Sequence, residues 1–219
     1  MKRIYEAIHS NPLLEGINFS DFESMHGCLS ARLHRYAKDE VILMTGNTID
    51  SVGLIVSGSV KVFKEDSNGN FTILTELSRP DTFGEVFACA GITQSPVTIL
   101  ATEDTEVFFV NFRKILLTCT SACPHHSRLV ENMLKLVAQK NLVLNQKIEL
   151  LSKRTTREKL LYFFELHRGA EREFSIPFNR EEMARYLCVD RSALSSELCK
   201  MRDEGLIRFQ KNTFWIMYS

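Results

Sequence analysis

Between His125 and Leu151 apolar side chains recur every seven positions in two adjacent columns. Leu129, Leu136, Val143 and Leu150 form one, and Val130, Val137, Leu144 and Leu151 the other. The spacing predicts one helix of 27 residues with both columns on one side, about 40 Å long at a rise of 1.5 Å per residue. Met133, Leu134 and Ile148 widen the stripe, while Lys135, Gln139, Gln146, Lys147 and Glu149 keep the rest of the circumference in water. Such a stripe either lies in the core of one globular domain or pairs with a second copy. The second reading is preferred, as a parallel seam of Leu129, Val130, Met133, Leu136, Val137, Val143 and Leu144.

Upstream the period changes. Residues 1 to about 35 read as short helices, with a turn at Asn11-Pro12 and a capping box of Ser20 and Glu23 ahead of Met25, Leu29 and Leu33. From Tyr36 to about Val110 come short alternating or apolar runs separated by turn residues: 41–44, 52–56, 60–63, 71–77, 97–101 and 106–110. Asn68-Gly69 is the best local hairpin signal, since both residues tolerate positive φ. Short strands without long helices between them argue an antiparallel barrel or sandwich.

Downstream lie short helices rich in basic residues. Asn179 can cap a helix running to about Leu187 that buries Met183, Ala184 and Leu187. After Cys188-Val189-Asp190 a second helix, from about Arg191 to Asp203, buries Leu194, Leu198 and Met201. Two short helices joined so tightly make a helix-turn-helix. Gly205 ends the second helix, and 206–209 and 213–216 flank Gln210-Lys211-Asn212 as two strands of a wing. The second helix should enter a DNA major groove by its N-terminal end, where Arg191, Ser192, Ser195 and Ser196 face outward. Arg191 suits a bidentate contact to guanine, with a phosphate clamp or a salt bridge to Asp190 as the alternative.

The charge sums sharpen this division. The 219 residues carry 27 basic and 27 acidic side chains, but from Ser152 onward there are 13 Lys and Arg against 10 Asp and Glu. The excess of +3 at the C-terminal end is what a DNA-binding face needs, and the remaining residues carry −3. No apolar run approaches membrane-spanning length and the N-terminus has no signal-peptide pattern, so a cytoplasmic protein is expected. The six cysteines follow no disulfide spacing and are expected as thiols. Gly-rich phosphate loops, paired metal ligands and nucleophile elbows do not occur, and His9, His26, His34 and His167 stand alone. An enzyme and a metal site are therefore not expected.

The ordered series IVSGSVKVF (55–63), NGN (68–70), RPDTFGE (79–85), the long helix and FNREEMARYLCVDRSALSSELCKMRDEGLI (178–207) resembles the cAMP receptor protein/FNR family of bacterial transcription regulators over roughly residues 30–215. The resemblance implies an α+β chain: an N-terminal cyclic-nucleotide-binding-like β-roll with its helices (1–120), a dimerisation helix (121–152) and a winged helix-turn-helix (153–219). It implies a homodimer on an inverted-repeat operator in double-stranded DNA, with RNA polymerase as a further partner and a small-molecule effector as the signal. Arg180, Asn179, Thr155 and Asn212 fall where relatives touch phosphates; Thr155 alternatively only caps a helix. At Ser196 many relatives carry a base-reading arginine.

In relatives that bind cyclic nucleotides a Gly-Glu pair contacts the ribose and an Arg-Ser pair holds the cyclic phosphate. Gly84-Glu85 is present, but Ser95-Pro96, followed by Val97, stands at the second place and supplies no cation. Registering the helix by Thr155-x-Arg157 puts Leu142 and Val143 where relatives present polar groups to the base. Both departures argue against cAMP and for another effector, partly apolar, or for none. Clustered N-terminal cysteines for an iron–sulfur cluster are missing. Cys119-x-x-x-Cys123 and Cys123-Pro124-His125-His126 leave thiol or haem sensing open. The competing reading is a ligand-binding or interaction module whose DNA reader has degenerated.

Overall fold

The computed structural model describes every residue except 67–70, 112, 113, 115–123, 170 and 219, and divides into two units, Met1–Gln139 and Lys140–Ser219. The Asn68-Gly69 hairpin and the Cys119/Cys123 pair lie outside the described residues.

The first unit begins with α1 (Lys2–Ile8), a 3₁₀ turn (Pro12–Leu14) and α2 (Phe19–Met25). The predicted capping box is displaced: Asn18 caps α2 by accepting the Asp21 amide at 3.0 Å, so the helix starts before Ser20. Eight strands follow: β1 (Arg32–Tyr36), β2 (Val41–Leu43), β3 (Ser51–Ser57), β4 (Ser59–Glu65), β5 (Phe71–Ser78), β6 (Thr82–Phe83), β7 (Thr98–Ala101) and β8 (Thr105–Asn111). A short helix, α3 (Glu85–Cys89), sits between β6 and β7. They form two antiparallel sheets, ordered β1-β8-β3-β6 and β2-β7-β4-β5. Strands β1, β6 and helix α3 were absent from the sequence expectation.

Alternation decides what each face of the first sheet meets. Val52, Leu54, Val56, Phe108 and Val110 point one way and join α1, α2 and the long helix in one core; Ile55 and Val107 point the other way, into the space between the sheets. Gly53 is required there, because a Cβ at that position would stand 2.3 Å from the Phe83 ring on the paired strand.

The long helix, α4, runs from Pro124 to Ser152, as its heptads predict. Its first half is fixed to the N-terminal segment: Asn132 Nδ2 donates to the carbonyls of Leu13 at 2.9 Å and Glu15 at 2.8 Å. Leu129, Met133 and Leu136 are only 2%, 3% and 6% exposed, within the first unit's core. These three were expected in an intermolecular seam; their apolar surface is already buried within the chain, and the seam assignment is corrected below.

The second unit contains the end of α4, α5 (Thr156–Arg168), β9 (Glu173–Ser175), α6 (Arg180–Leu187), α7 (Arg191–Asp203), β10 (Ile207–Gln210) and β11 (Thr213–Ile216). Its core gathers Leu150, Leu160, Phe163, Phe164, Met183, Leu187, Leu194, Leu198, Met201 and Phe214. The wing has three strands, ordered β10-β11-β9, one more than predicted. Gly205, at φ +76°, ends α7, and the Leu206 amide returns to the Met201 carbonyl at 2.9 Å. No helix among the described residues is long and apolar enough to cross a membrane.

Candidate nucleic-acid interface and sensor cavity

The N-terminal end of α7 stands open as the sequence required: Arg191, Ser192 and Ser196 are exposed and Ser195 is half-buried. The side chain of Arg191 is 67% exposed, and its Nε lies 3.8 Å from the Glu181 carboxylate on α6 rather than against Asp190. Asn179, Arg180, Glu181, Arg191, Lys211 and Asn212 line one concavity beside the wing. The geometry therefore assembles three of the four phosphate-contact candidates with the leading base-reader.

Two of those residues, Asn179 and Arg180, also have a local task. Asn179 caps α6 in a reciprocal box, its Oδ1 accepting the Glu182 amide at 2.9 Å while Glu182 accepts the Asn179 amide at 2.8 Å. Arg180 turns onto the wing: its guanidinium lies 5.1 Å from the Phe209 ring centre and 5.0 Å from that of Phe214, and Nη2 donates to the Lys211 carbonyl at 3.0 Å. Burial holds its pKa below the ordinary arginine range. Thr155 caps α5 in the same way, its hydroxyl accepting the Glu158 amide at 3.1 Å while Glu158 accepts the Thr155 amide at 3.0 Å. It lies outside the concavity.

Sequence reasoning missed Arg157. This α5 residue donates to Glu204 through both terminal nitrogens and to Glu197 through Nε, tying α5 to the recognition helix. Hydrogen bonds from Arg157 hold the Glu204 carboxyl below the usual carboxylate range. Glu197, adjacent to Ser196, is thus turned inward and not toward solvent; its side chain is 16% exposed.

In the first unit a cavity of about 280 Å³ opens between the sheets. Arg32, His34, Tyr36, Asp50, Phe83 and Phe109 are among its walls, and His34, Tyr36 and Phe83 each lie within ring-contact distance of Phe109. Of the predicted effector residues that belong to the first unit, only Gly84 lines it. Glu85 is buried beside that glycine at the start of α3. Ser95 is 2% exposed and closes on its own loop, donating to the Val97 carbonyl at 2.6 Å and accepting the Val97 amide at 3.3 Å. Leu142 and Val143, on α4, are each 62% exposed. Of the haem or thiol candidates, His125 Nε2 lies 3.6 Å from the Asp21 carboxylate and His126 is buried.

On α4 the exposed apolar residues define a second register. Val130, Leu134, Val137, Asn141, Leu144, Ile148 and Leu151 are spaced alternately by four and three. Leu134, Leu144 and Ile148 are 68%, 60% and 65% exposed, and Val130 and Val137 are half-buried. In heptad terms Leu134, Asn141 and Ile148 take the a positions, and Val130, Val137, Leu144 and Leu151 the d positions. Val130, Val137 and Leu144 of the expected seam belong to this register. Val143 flanks it, and Leu129, Met133 and Leu136 face the chain's own core.

Residues 33–120 match the cyclic nucleotide-binding domain family, and residues 158–217 match the Crp-like helix-turn-helix domain family, together more than half of the chain. No curated protein matches. Among solved structures the chain is similar to the catabolite activator protein of Thermus thermophilus, at 22% identity over 94% of this chain and 93% of that one, TM-score 0.55. It is also similar to the c-di-GMP-responsive global regulator CLP of Xanthomonas campestris, at 15% identity over 90% and 98%, TM-score 0.54. DNR of Pseudomonas aeruginosa aligns at 18% identity over 100% and 96%, TM-score 0.53. Identities this low carry the fold and leave effector and operator to the residues themselves.

Proposed function

We propose a mechanism for this chain from the premise that it belongs to the cAMP receptor protein/FNR (CRP/FNR) family: a DNA-binding transcription regulator and not an enzyme, it works as a homodimer on an inverted-repeat operator and answers to an effector other than cAMP. The single observation that carries the reading is the exposed heptad register of α4. Ile148 at an a position beside Leu144 and Leu151 at d positions is the pattern of a parallel two-stranded coiled coil, and Asn141 at an a position specifies that register over others.

A parallel pair carries two readers related by a two-fold axis. Two α7 helices then enter successive major grooves about 34–36 Å apart, so half-sites repeat in inverted order one helical turn apart. Arg191, Ser192 and Ser195 read bases, Ser196 adds a weak hydroxyl where an arginine would read guanine, and Asn179, Arg180 and Asn212 address the backbone. The domain limits 1–120, 121–152 and 153–219 describe sensor, seam and reader in this scheme. RNA polymerase is the partner through which bound dimer changes transcription.

The effector reading rests on chemistry. Ser95-Pro96 offers no cation, and its hydroxyl is closed on Val97, so a cyclic phosphate there would forgo charge-assisted hydrogen bonds of about 1.5–3 kcal/mol each. The cavity walled by Arg32, His34, Tyr36 and Phe109 favours a partly aromatic ligand instead. By differential affinity for two dimer states of about 1–3 kcal/mol, such a ligand would shift the spacing of the readers.

The test is sedimentation of the purified chain with and without a selected operator duplex. A dimer that binds one duplex is the expected result; a monomer saturating a single half-site sinks the homodimer. Calorimetric titration with cAMP should give no heat of binding at micromolar concentrations, and a stoichiometric isotherm would overturn the effector reading.

A further inference from the structure

The three carbonyls that α6 leaves without helical partners at its C-terminal end are met by two lysines. Lys159, on α5, donates to the carbonyls of Leu187 at 3.0 Å and Cys188 at 3.5 Å. Lys147, on α4, donates to the Tyr186 carbonyl and places its ammonium 3.4 Å from the centre of the Tyr186 ring. A cation at a helix C-terminus is favoured by the unsatisfied carbonyls and the macrodipole, and the aromatic face adds to it. Burial pushes the Lys147 pKa down, as expected of an ammonium drawn out of water.

The two lysines differ in what they join. Lys159 links two helices of the reader. Lys147 links the reader to α4, and it does so within the two turns that carry Leu144, Ile148 and Leu151 of the exposed register. Leu150, in the reader's core, also joins them, but an apolar contact fixes no direction. The Lys147 bond is directional, and it ends two residues before the left-handed turn at Cys188 that sets where Arg191 begins α7.

We infer that Lys147 is a positioning residue: it holds the turn between α6 and α7 at a fixed rotation about the seam-bearing end of α4, and so fixes the half-site spacing that the dimer accepts. The inference rests on the homodimer reading. It touches neither base nor phosphate and acts through the placement of the residues that do.

The experiment starts with duplexes recovered by the wild-type chain from a random-sequence pool. Synthetic copies with the spacer lengthened or shortened by one base pair, and a single half-site, complete the set. Wild type should prefer its own spacing; Lys147→Met should lower that preference about fivefold or more, the lower end of ordinary coupling between sites, while half-site binding and the salt slope stay unchanged. Lys147→Arg should restore the preference, since a guanidinium can serve both ring and carbonyl. Lys159→Met should lower the melting temperature and leave the preference intact. If Lys147→Met fails to fold, Lys147→Ala, which removes the donor and leaves the Tyr186 ring against Phe163 and Phe178, must relax the preference in its place. A preference that survives in Lys147→Met, or that collapses equally in Lys159→Met, overturns the inference. Failure of the homodimer itself shows in the wild type alone, as monomeric binding to the half-site.

Discussion

Arg157 grips Glu204 with both terminal nitrogens at 2.7 Å, and its Nε reaches Glu197 at 2.5 Å. The paired contact is the fork-to-carboxylate geometry in which arginine outperforms lysine. It places one α5 side chain across the C-terminal half of α7 and the residue following it. Arg157→Met should lower the melting temperature of the second unit and loosen α7 without touching its reading end. The pH dependence has a definite sign. Arg157 depresses the folded-state pKa of Glu204 below the ordinary 4.5. That contribution is present above pH 4.5 and is lost as pH falls through the folded value. Acid unfolding followed by circular dichroism should be less steep in Arg157→Met than in wild type below pH 4.5; parallel curves would refute the linkage.

Asn141 occupies an a position between Leu134 and Ile148 in the exposed register. An asparagine there lowers the stability of a coiled coil but selects two strands in one register. Asn141→Leu is expected to tighten self-association while admitting trimers or shifted pairs, seen as mixed species in sedimentation. Ile148→Asp should give monomers with weak operator binding and an intact first unit. A homogeneous dimer from Ile148→Asp would place the interface elsewhere.

The long helix shows what a sequence can and cannot carry. Its span was legible, the expected 125–151 lying inside the described Pro124–Ser152, because heptads are a local signal. Its two apolar columns were not separable, because Leu129 and Val130 are equally apolar and only the folded chain shows that Leu129 is buried against α1 and α2. The helix-turn-helix was legible for the opposite reason: Asn179, the Cys188 turn and Gly205 mark its ends in sequence. Strand β1 escaped because Arg32-Leu33-His34-Arg35-Tyr36 surrounds its single, half-buried aliphatic with polar residues. Arg157 and Lys147 escaped because their partners lie far along the chain.

Glu181 lies in the same concavity as Arg191, its carboxylate 3.8 Å from the arginine and 61% exposed. A negative charge at that place repels phosphate and competes for the base-reader. Glu181→Gln should strengthen binding to any duplex and steepen the dependence of log K on log salt, by about one unit of slope at most. A fluorescence-anisotropy titration at several salt concentrations measures both. Unchanged affinity would mean that the carboxylate stays clear of the bound DNA.

Arg191 and Arg180 line the same concavity with different freedoms. Arg191→Ala should cost about 1–3 kcal/mol of discrimination between operator and random duplex. Arg180→Ala removes a guanidinium that packs on Phe209 and Phe214 and bonds Lys211, so it should weaken both duplexes alike. The same variant should destabilise the wing by about 0.5–2 kcal/mol through the lost ring contacts. Equal loss of discrimination in the two variants would refute the division of labour.

Cys188 carries the tight turn at φ +50° and ψ +56°, in the left-handed region. The conformation is imposed from both sides: the Val189 amide returns to the Ala184 carbonyl at 3.0 Å, and Lys159 reaches the Cys188 carbonyl at 3.5 Å. For a residue with a Cβ that backbone costs about 1–2 kcal/mol, and glycine avoids it while losing about 0.5–1 kcal/mol to the entropy of its unfolded chain. The thiol returns little, being exposed and 3.7 Å from the Arg185 carbonyl to which it donates. Cys188→Gly should therefore raise the stability of the second unit by a net amount of about 0.5–1 kcal/mol, read as a higher urea midpoint at unchanged slope. DNA affinity should be unaltered, because the turn keeps its dihedrals. A lower midpoint would show that the cysteine side chain contributes more than the strain of its backbone removes.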